Sequence, residues 1–173
     1  LNGWQHIQRP DGNNSPAFGT QITFTPNSNL TLNYSTFIGN DKPDIVKQMR
    51  YFHNVYGIIH ITENLHVTAG FDYGMEQKEK GSSDYNTWYS PVVIVKVNVN
   101  NLWSVSARGE YYADKNGVII ATGTENGFQT SGFSLNVDYK IRENALWRME
   151  GRTLKSKDNI FNDGSDSVNS NTF

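Results

Sequence analysis

Residues 132–156 read GFSLNVDYKIRENALWRMEGRTLKS, and the alternation in this stretch decides the fold. From 131 to 141, Phe133, Leu135, Val137, Tyr139 and Ile141 take every second position, with Gly132, Ser134, Asn136, Asp138 and Lys140 between them. After the break at Arg142, Glu143 and Asn144 the pattern restarts. Trp147, Met149, Gly151 and Thr153 then share one face, and Arg148, Glu150 and Arg152 the other. A period of two on both sides of a tight turn is an antiparallel hairpin. One face is apolar and the other is charged. In a soluble sandwich the apolar face is the core; in a transmembrane barrel it meets lipid and the charges line the inside.

The same alternation recurs at 17–25, 30–39, 49–61, 65–76, 87–99 and 102–112, and a weak strand is expected at 1–8, where Trp4, His6 and Ile7 settle on no single face. It is cleanest at 65–76, where Leu65, Val67, Ala69, Phe71, Tyr73 and Met75 oppose His66, Thr68, Gly70, Asp72, Gly74 and Glu76. Pro91 cannot donate to a ladder and predicts an irregularity near the start of its strand. Residues 44–50 allow one helical turn and no more, and 157–171, rich in Asn, Asp and Ser, read as loop. The connections alternate short and long. The short ones, PNSN, TEN, NN and REN, each place an Asn before the residue that restarts the strand, at Leu30, Leu65, Leu102 and Ala145. Meandering hairpins with turns on one rim and loops on the other are what an up-and-down barrel requires, and short turns with long outer loops are its membrane form.

Composition narrows the classes. The 173 residues suffice for one domain with a core, and the whole of 1–173 is read as a single β-barrel domain. A net charge of −2 supplies no basic field, so no nucleic-acid partner is expected. Without cysteine there is neither a disulfide framework nor thiolate chemistry. No run approaches the roughly 18 apolar residues of a membrane helix, which leaves a β-barrel open because alternation dilutes each strand's hydropathy. The chain starts at Leu1 without an initiator Met or signal peptide, which suggests a native N-terminus further upstream.

Strand length favours lipid over core. Strands of about ten residues tilted near 45° span the roughly 25 Å apolar band of an outer membrane, whereas soluble strands average about five or six. Aromatic residues gather near strand ends, with Trp103, Tyr139 and Trp147 towards the short turns and Tyr73, Trp88, Tyr89, Tyr111 and Tyr112 towards the long loops. Amphipathic rings at two levels are the girdles of a membrane barrel; Tyr73, Trp103, Tyr111, Tyr139 and Trp147 are its expected interface residues. The opposite face carries Asp72, Glu76, Lys96, Arg108, Glu110, Asp138, Lys140, Arg148, Glu150 and Arg152. In a dry core each unpaired ion would cost several kcal/mol. Lining a wet lumen costs little. Asp72, Lys96, Arg108, Glu110, Asp138, Lys140, Arg148, Glu150 and Arg152 are therefore the expected lumen-lining residues. They would set ion selectivity, brace the wall by salt bridges, or do both.

Three strings carry a family resemblance: residues 1–41, LNGWQHIQRPDGNNSPAFGTQITFTPNSNLTLNYSTFIGND; 107–117, ARGEYYADKNG; and 132–152, GFSLNVDYKIRENALWRMEGR. They resemble the OmpL-like β-barrel porin family of Bacteroidetes-type outer membranes. The resemblance covers the whole chain and rests on strand-and-turn strings rather than a catalytic signature. It implies an antiparallel meander β-barrel of the transmembrane outer-membrane type, a passive channel and no cofactor. Members of that family are longer, with strands ahead of the NGWQ segment and a closing strand that ends in an aromatic residue. Set against that pattern, the nine strands counted here, and a Phe173 too close to the last loop to end a tenth, imply the C-terminal part of a longer barrel of which about nine or ten strands are present.

Other constellations are weaker. His6, His53, His60 and His66 suggest a metal, but no third ligand stands at a recognisable spacing, and histidines on a surface or lumen account for them. Glu110 with Glu150 or Asp138 has the form of a glycosidase carboxylate pair, yet the neighbouring arginines favour ion pairs. No phosphate-binding or nucleophile-elbow motif occurs. The expectation is thus a non-enzymatic outer-membrane channel for small hydrophilic solutes, partnered by the lipid bilayer, with its oligomeric state open. Two other readings are kept: a soluble β-barrel holding a small apolar ligand, and a barrel anchor whose loops 77–86 and 113–127 bind an external partner.

Overall fold

The alternating segments form eight long antiparallel strands: β1 (Phe18–Asn27), β2 (Leu30–Asn40), β3 (Met49–His60), β4 (Leu65–Gln77), β5 (Tyr85–Asn98), β6 (Trp103–Asp114), β7 (Phe128–Arg142) and β8 (Ala145–Ser156). The structure is a computed structural model and describes residues 1–4, 7–162, 164 and 166–173. Three short strands follow, β9 (Phe161–Asn162), β10 (Ser167–Val168) and β11 (Ser170–Thr172). Each long strand pairs with its neighbour in chain order. β11 adds to β8, completing a nine-stranded meander, while β9 and β10 make a ribbon of their own. β1 and β11 are the outermost strands and are not paired with each other, so the sheet is open. No helix occurs among the described residues. The turn at 44–46, closed by the amides of Val46 and Lys47 on the Pro43 carbonyl, stays a single turn.

Two expectations need correction. The described part of 1–8 contains no strand; its apolar groups Leu1, Trp4 and Ile7 are three residues apart and follow no period of two, so it has no row to add to a sheet. The stretch 157–171, read as loop, holds β9, β10 and most of β11, whose Ser170, Asn171 and Thr172 pair with Lys155, Leu154 and Thr153. An exposed strand edge offers a ladder of unpaired N–H and C=O groups, and a polar segment can use it without apolar alternation.

The short connections lie together on one rim (28–29, 61–64, 99–102, 143–144) and the long ones on the other (41–48, 78–84, 115–127, 157–169). Side-chain oxygens cap the short turns. The Thr62 hydroxyl accepts from the amides of Asn64 and Leu65, and the Asn100 side-chain carbonyl accepts from those of Leu102 and Trp103. Asx- and ST-type turns of this kind satisfy backbone donors locally, which is why Asn and Thr recur there. The ladder between β5 and β6 lacks pairs at Ser90 and Pro91 while its register stays constant on either side.

Register separates two faces. On one, Leu30, Ile59, Val67, Val95, Ala107, Leu135 and Gly151 lie directly opposite one another across β2 to β8. That face is open: Phe133 is 54% exposed, Leu135 48% and Phe71 42%. The other face is polar and more enclosed over much of the sheet, with Asn33, Arg50, Glu76, Ser106, Asp114, Thr130, Ser134 and Asp138 buried. A soluble monomer rarely leaves an apolar patch beyond a few hundred Å² in water. Here the apolar rows run across seven consecutive strands.

Candidate functional site

The polar face concentrates its charge on β6, β7 and β8. Register places Arg108, Ser134 and Arg152 in one row and Glu110, Gly132 and Leu154 in the next. Because Gly132 has no side chain, the Glu110 carboxyl lies over it: a Cβ there would stand 2.6 Å from Oε1 and 2.8 Å from Cγ of Glu110. Glu110 thereby takes two arginines. Arg108 donates through Nε at 2.9 Å and again through its terminal nitrogen, and Arg152 reaches the other carboxylate oxygen from β8.

Towards the turn rim, Asp138 and Arg148 stand directly opposite in register and form a fork, Nε to Oδ1 at 2.7 Å and Nη2 to Oδ2 at 2.8 Å. A bidentate arginine–carboxylate pair is the stronger, geometrically defined form of the contact. In both clusters the anion is covered and the cation is not. The Asp138 side chain is 5% exposed against 55% for Arg148, and Glu110 is 14% exposed against 42% and 41% for Arg108 and Arg152. The wall therefore presents guanidinium groups to whatever occupies the space before it.

The remaining expected wall residues form no ion pair with these clusters among the described residues, although Lys96 and Lys140 line one recess with Asp138 and Arg148. Lys96 lies between His66 and Ser106 in register, and Glu150 opposite Asn136; neither makes an ion pair among the described residues. Among the described residues Lys140 pairs only with the exposed Glu143 of the turn, at 3.8 Å. Asp72 accepts a hydrogen bond from Asn54 Nδ2 at 2.6 Å. Glu110, held by two arginines, is not poised as half of an acid–base pair. His60 and His66 face each other with their Nδ1 atoms 2.6 Å apart, and Asn98 contacts the other nitrogen of His66; His53 pairs with the Tyr34 hydroxyl, and His6 lies outside the described residues.

Trp103, Tyr139 and Trp147 form one row across β6, β7 and β8 at the turn rim, the first two rings 4.6 Å apart. At the loop rim Tyr73 stands opposite Tyr89, whose ring lies 6.1 Å from that of Tyr111. These five positions and Tyr89 belong to the apolar face. Trp88 and Tyr112, expected beside them, point to the polar face because their strand parity is opposite. Trp88 is 1% exposed and lies flat against Gly74, where a Cβ would come within 2.0 Å of its ring.

Around Trp88 is a cluster that periodicity did not reveal. Arg50 donates to Glu76 at 2.9 and 2.6 Å and to Asp41 at 2.5 Å, and Lys42 reaches Glu76 at 2.8 Å. The Arg50 guanidinium also sits 5.6 and 5.7 Å from the rings of Trp4 and Trp88. Trp4 is anchored by its amide on Asp41 and packs on Phe52 at 5.0 Å. Arg50 shares strand parity with Asn54, so its face was legible; Trp4 and Asp41 lie in irregular segments where no pattern assigns a side chain to a wall.

Segment 9–16 is fastened to loop 41–48 through Asp44, which accepts from the Asn14 amide at 2.9 Å and the Ser15 hydroxyl at 2.8 Å. These donors, the backbone amide first, hold its carboxyl below the ordinary carboxylate value of 3.8. Asp158 is also lowered, by the Asn126 side-chain amide first and its backbone amide next, and these two contacts at 2.8 Å tie loop 115–127 to loop 157–169.

Compared with known proteins, the chain matches one family model over residues 1–173, that of the family described as "Putative beta-barrel porin-2, OmpL-like". No curated protein and no solved structure matches it.

Proposed function

The chain belongs to the OmpL-like β-barrel porin family, and from that premise we propose that it forms part of a passive, non-enzymatic channel for small hydrophilic solutes in a bacterial outer membrane of the Bacteroidetes type. The observation that carries this reading is the partition between the two faces. Apolar rows are exposed across β2 to β8, and the opposite wall carries covered carboxylates paired with arginines that are themselves more exposed. Exposed apolar rows suit contact with acyl chains, and a charged wall suits water and ions. The expected wall residues Asp72, Lys96, Arg108, Glu110, Asp138, Lys140, Arg148, Glu150 and Arg152 then line the lumen, and the guanidinium layer of β6–β8 biases it towards anions. Tyr73, Trp103, Tyr111, Tyr139 and Trp147 sit at the two headgroup levels.

A soluble barrel with an apolar ligand inside would need the opposite partition, with Phe71, Phe133 and Leu135 covered. Reconstitution of the full-length protein in planar bilayers tests the channel. Stepwise ion conductance is expected, and a barrel that inserts but stays sealed would reject the reading.

A further inference from the structure

At the loop rim the polar face holds a recess of about 320 Å³ lined by Trp4, Phe52, Trp88, Tyr112 and Asp72, with Ile119 and Ile120 of loop 115–127 as its far wall. The wall is built in place. The Asp114 carboxylate, fully covered, accepts from the amides of Val118, Ile119 and Ile120 at 2.9, 2.7 and 3.0 Å, fixing the loop against the strands. Four aromatic rings converging from β3, β5, β6 and the segment before β1 are more than the strand pattern requires. They surround a single carboxylate.

Charge decides what fits. Arg50 and Lys42 are matched by Asp41 and Glu76, so that network adds no net charge to the recess. Asp72 has no such partner: Asn54 supplies one neutral hydrogen bond, and no cation pairs with it among the described residues. A half-buried carboxylate beside apolar rings is costly without a counter-charge, and the faces of Trp, Tyr and Phe attract cations. An inorganic cation would satisfy the carboxylate but brings no apolar surface to cover the rings; a neutral sugar ring would stack without compensating Asp72.

We propose that this recess binds a small organic cation of the alkylammonium class, its charged nitrogen towards Asp72 and its apolar substituents against the rings. The inference rests on the polar face being the water-filled side, as the channel reading has it, but it does not require ions to flow.

The test is a titration of the folded full-length protein in detergent micelles with choline chloride at constant ionic strength. It is read in the Trp103→Phe/Trp147→Phe background, so that of the four tryptophans in this chain only Trp4 and Trp88 report. A saturable fluorescence change is expected, with a half-saturation at least about tenfold higher for 3,3-dimethyl-1-butanol, the neutral isostere of choline. Asp72→Asn is expected to weaken choline by about tenfold as well. The absence of saturation by choline, equal saturation by the neutral isostere, or an unchanged choline response in folded Asp72→Asn would each overturn the proposal. The isostere comparison decides without any change at Asp72. A sealed barrel that still binds choline would reject the channel and leave this site; a conducting barrel that ignores choline would do the reverse.

Discussion

Arg152 on β8 reaches across Gly132 of β7 to the carboxylate of Glu110 on β6, joining two strands that are not neighbours in the sheet. The contact exists because the strand between them carries no side chain at that register. Gly132→Ala would set a Cβ 2.6 Å from Glu110 Oε1 and 3.0 Å from Leu154 Cδ2. Glu110 must then turn away and release at least one arginine. A loss of about 1–3 kcal/mol is expected, measured as a lower urea midpoint for unfolding from liposomes, while Ser134→Ala, in the neighbouring row, is expected to cost less.

Leu135 and Asn136 are adjacent in β7 and lie on opposite faces; Leu135 is 48% exposed, and Asn136 sits in the row of Lys96 and Glu150. Leu135→Arg places a cation among apolar rows near the middle of its strand and is expected to cost about 2–4 kcal/mol in a bilayer. Asn136→Arg is expected to change stability by less than about 1 kcal/mol, because in the proposed channel this face meets water. Equal losses in lipid-reconstituted samples would contradict the assignment of faces.

Asp138 and Arg148 are unequal partners. Removing Arg148 strands a covered carboxylate, whereas removing Asp138 frees a guanidinium that is already half in solvent. Arg148→Gln is therefore expected to destabilise by about 2 kcal/mol or more and Asp138→Asn by about 1 kcal/mol. Zero-current potentials in asymmetric KCl are expected to move towards cation preference in the first variant and towards anion preference in the second.

The attachment of segment 9–16 to its loop has a stated pH dependence. The folded-state pKa of Asp44 lies below its ordinary 3.8, so the stabilisation it supplies is present above that value and is lost as pH falls through the lower folded one. Between pH 7 and 5 the protease sensitivity of this segment is expected to stay constant, rising only in strongly acidic buffer. Asp44→Asn is expected to show raised sensitivity already at pH 7, since it removes the charge that the Asn14 amide and Ser15 hydroxyl address.

How much of the site was legible follows from strand parity. Arg108, Glu110, Asp138, Arg148 and Arg152 could be assigned to one face because each sits in a cleanly alternating segment, and a strand's side chains have only two directions to take. The same rule assigns Trp88 and Tyr112 to the polar face, since they are out of phase with Tyr89 and Tyr111; nearness to the loops alone does not separate the four. Trp4, Asp41 and Asp114 carry no period, so nothing local indicates that they complete the loop rim. β11 was invisible for a related reason: it is held by the free edge of β8, not by a pattern of its own.

By itself, the sequence determined the eight long strands, their order, the alternation of short turns and long loops, and the division into an apolar and a charged face. All of these are local consequences of a two-residue period and of turn chemistry. The tertiary structure alone decided which charges meet, that carboxylates lie covered beneath exposed guanidinium groups, and that Trp4 and loop 115–127 close a recess around Asp72. Those outcomes depend on inter-strand register and on loops folding back over distant strands, contacts between residues far apart in the chain that no local pattern encodes.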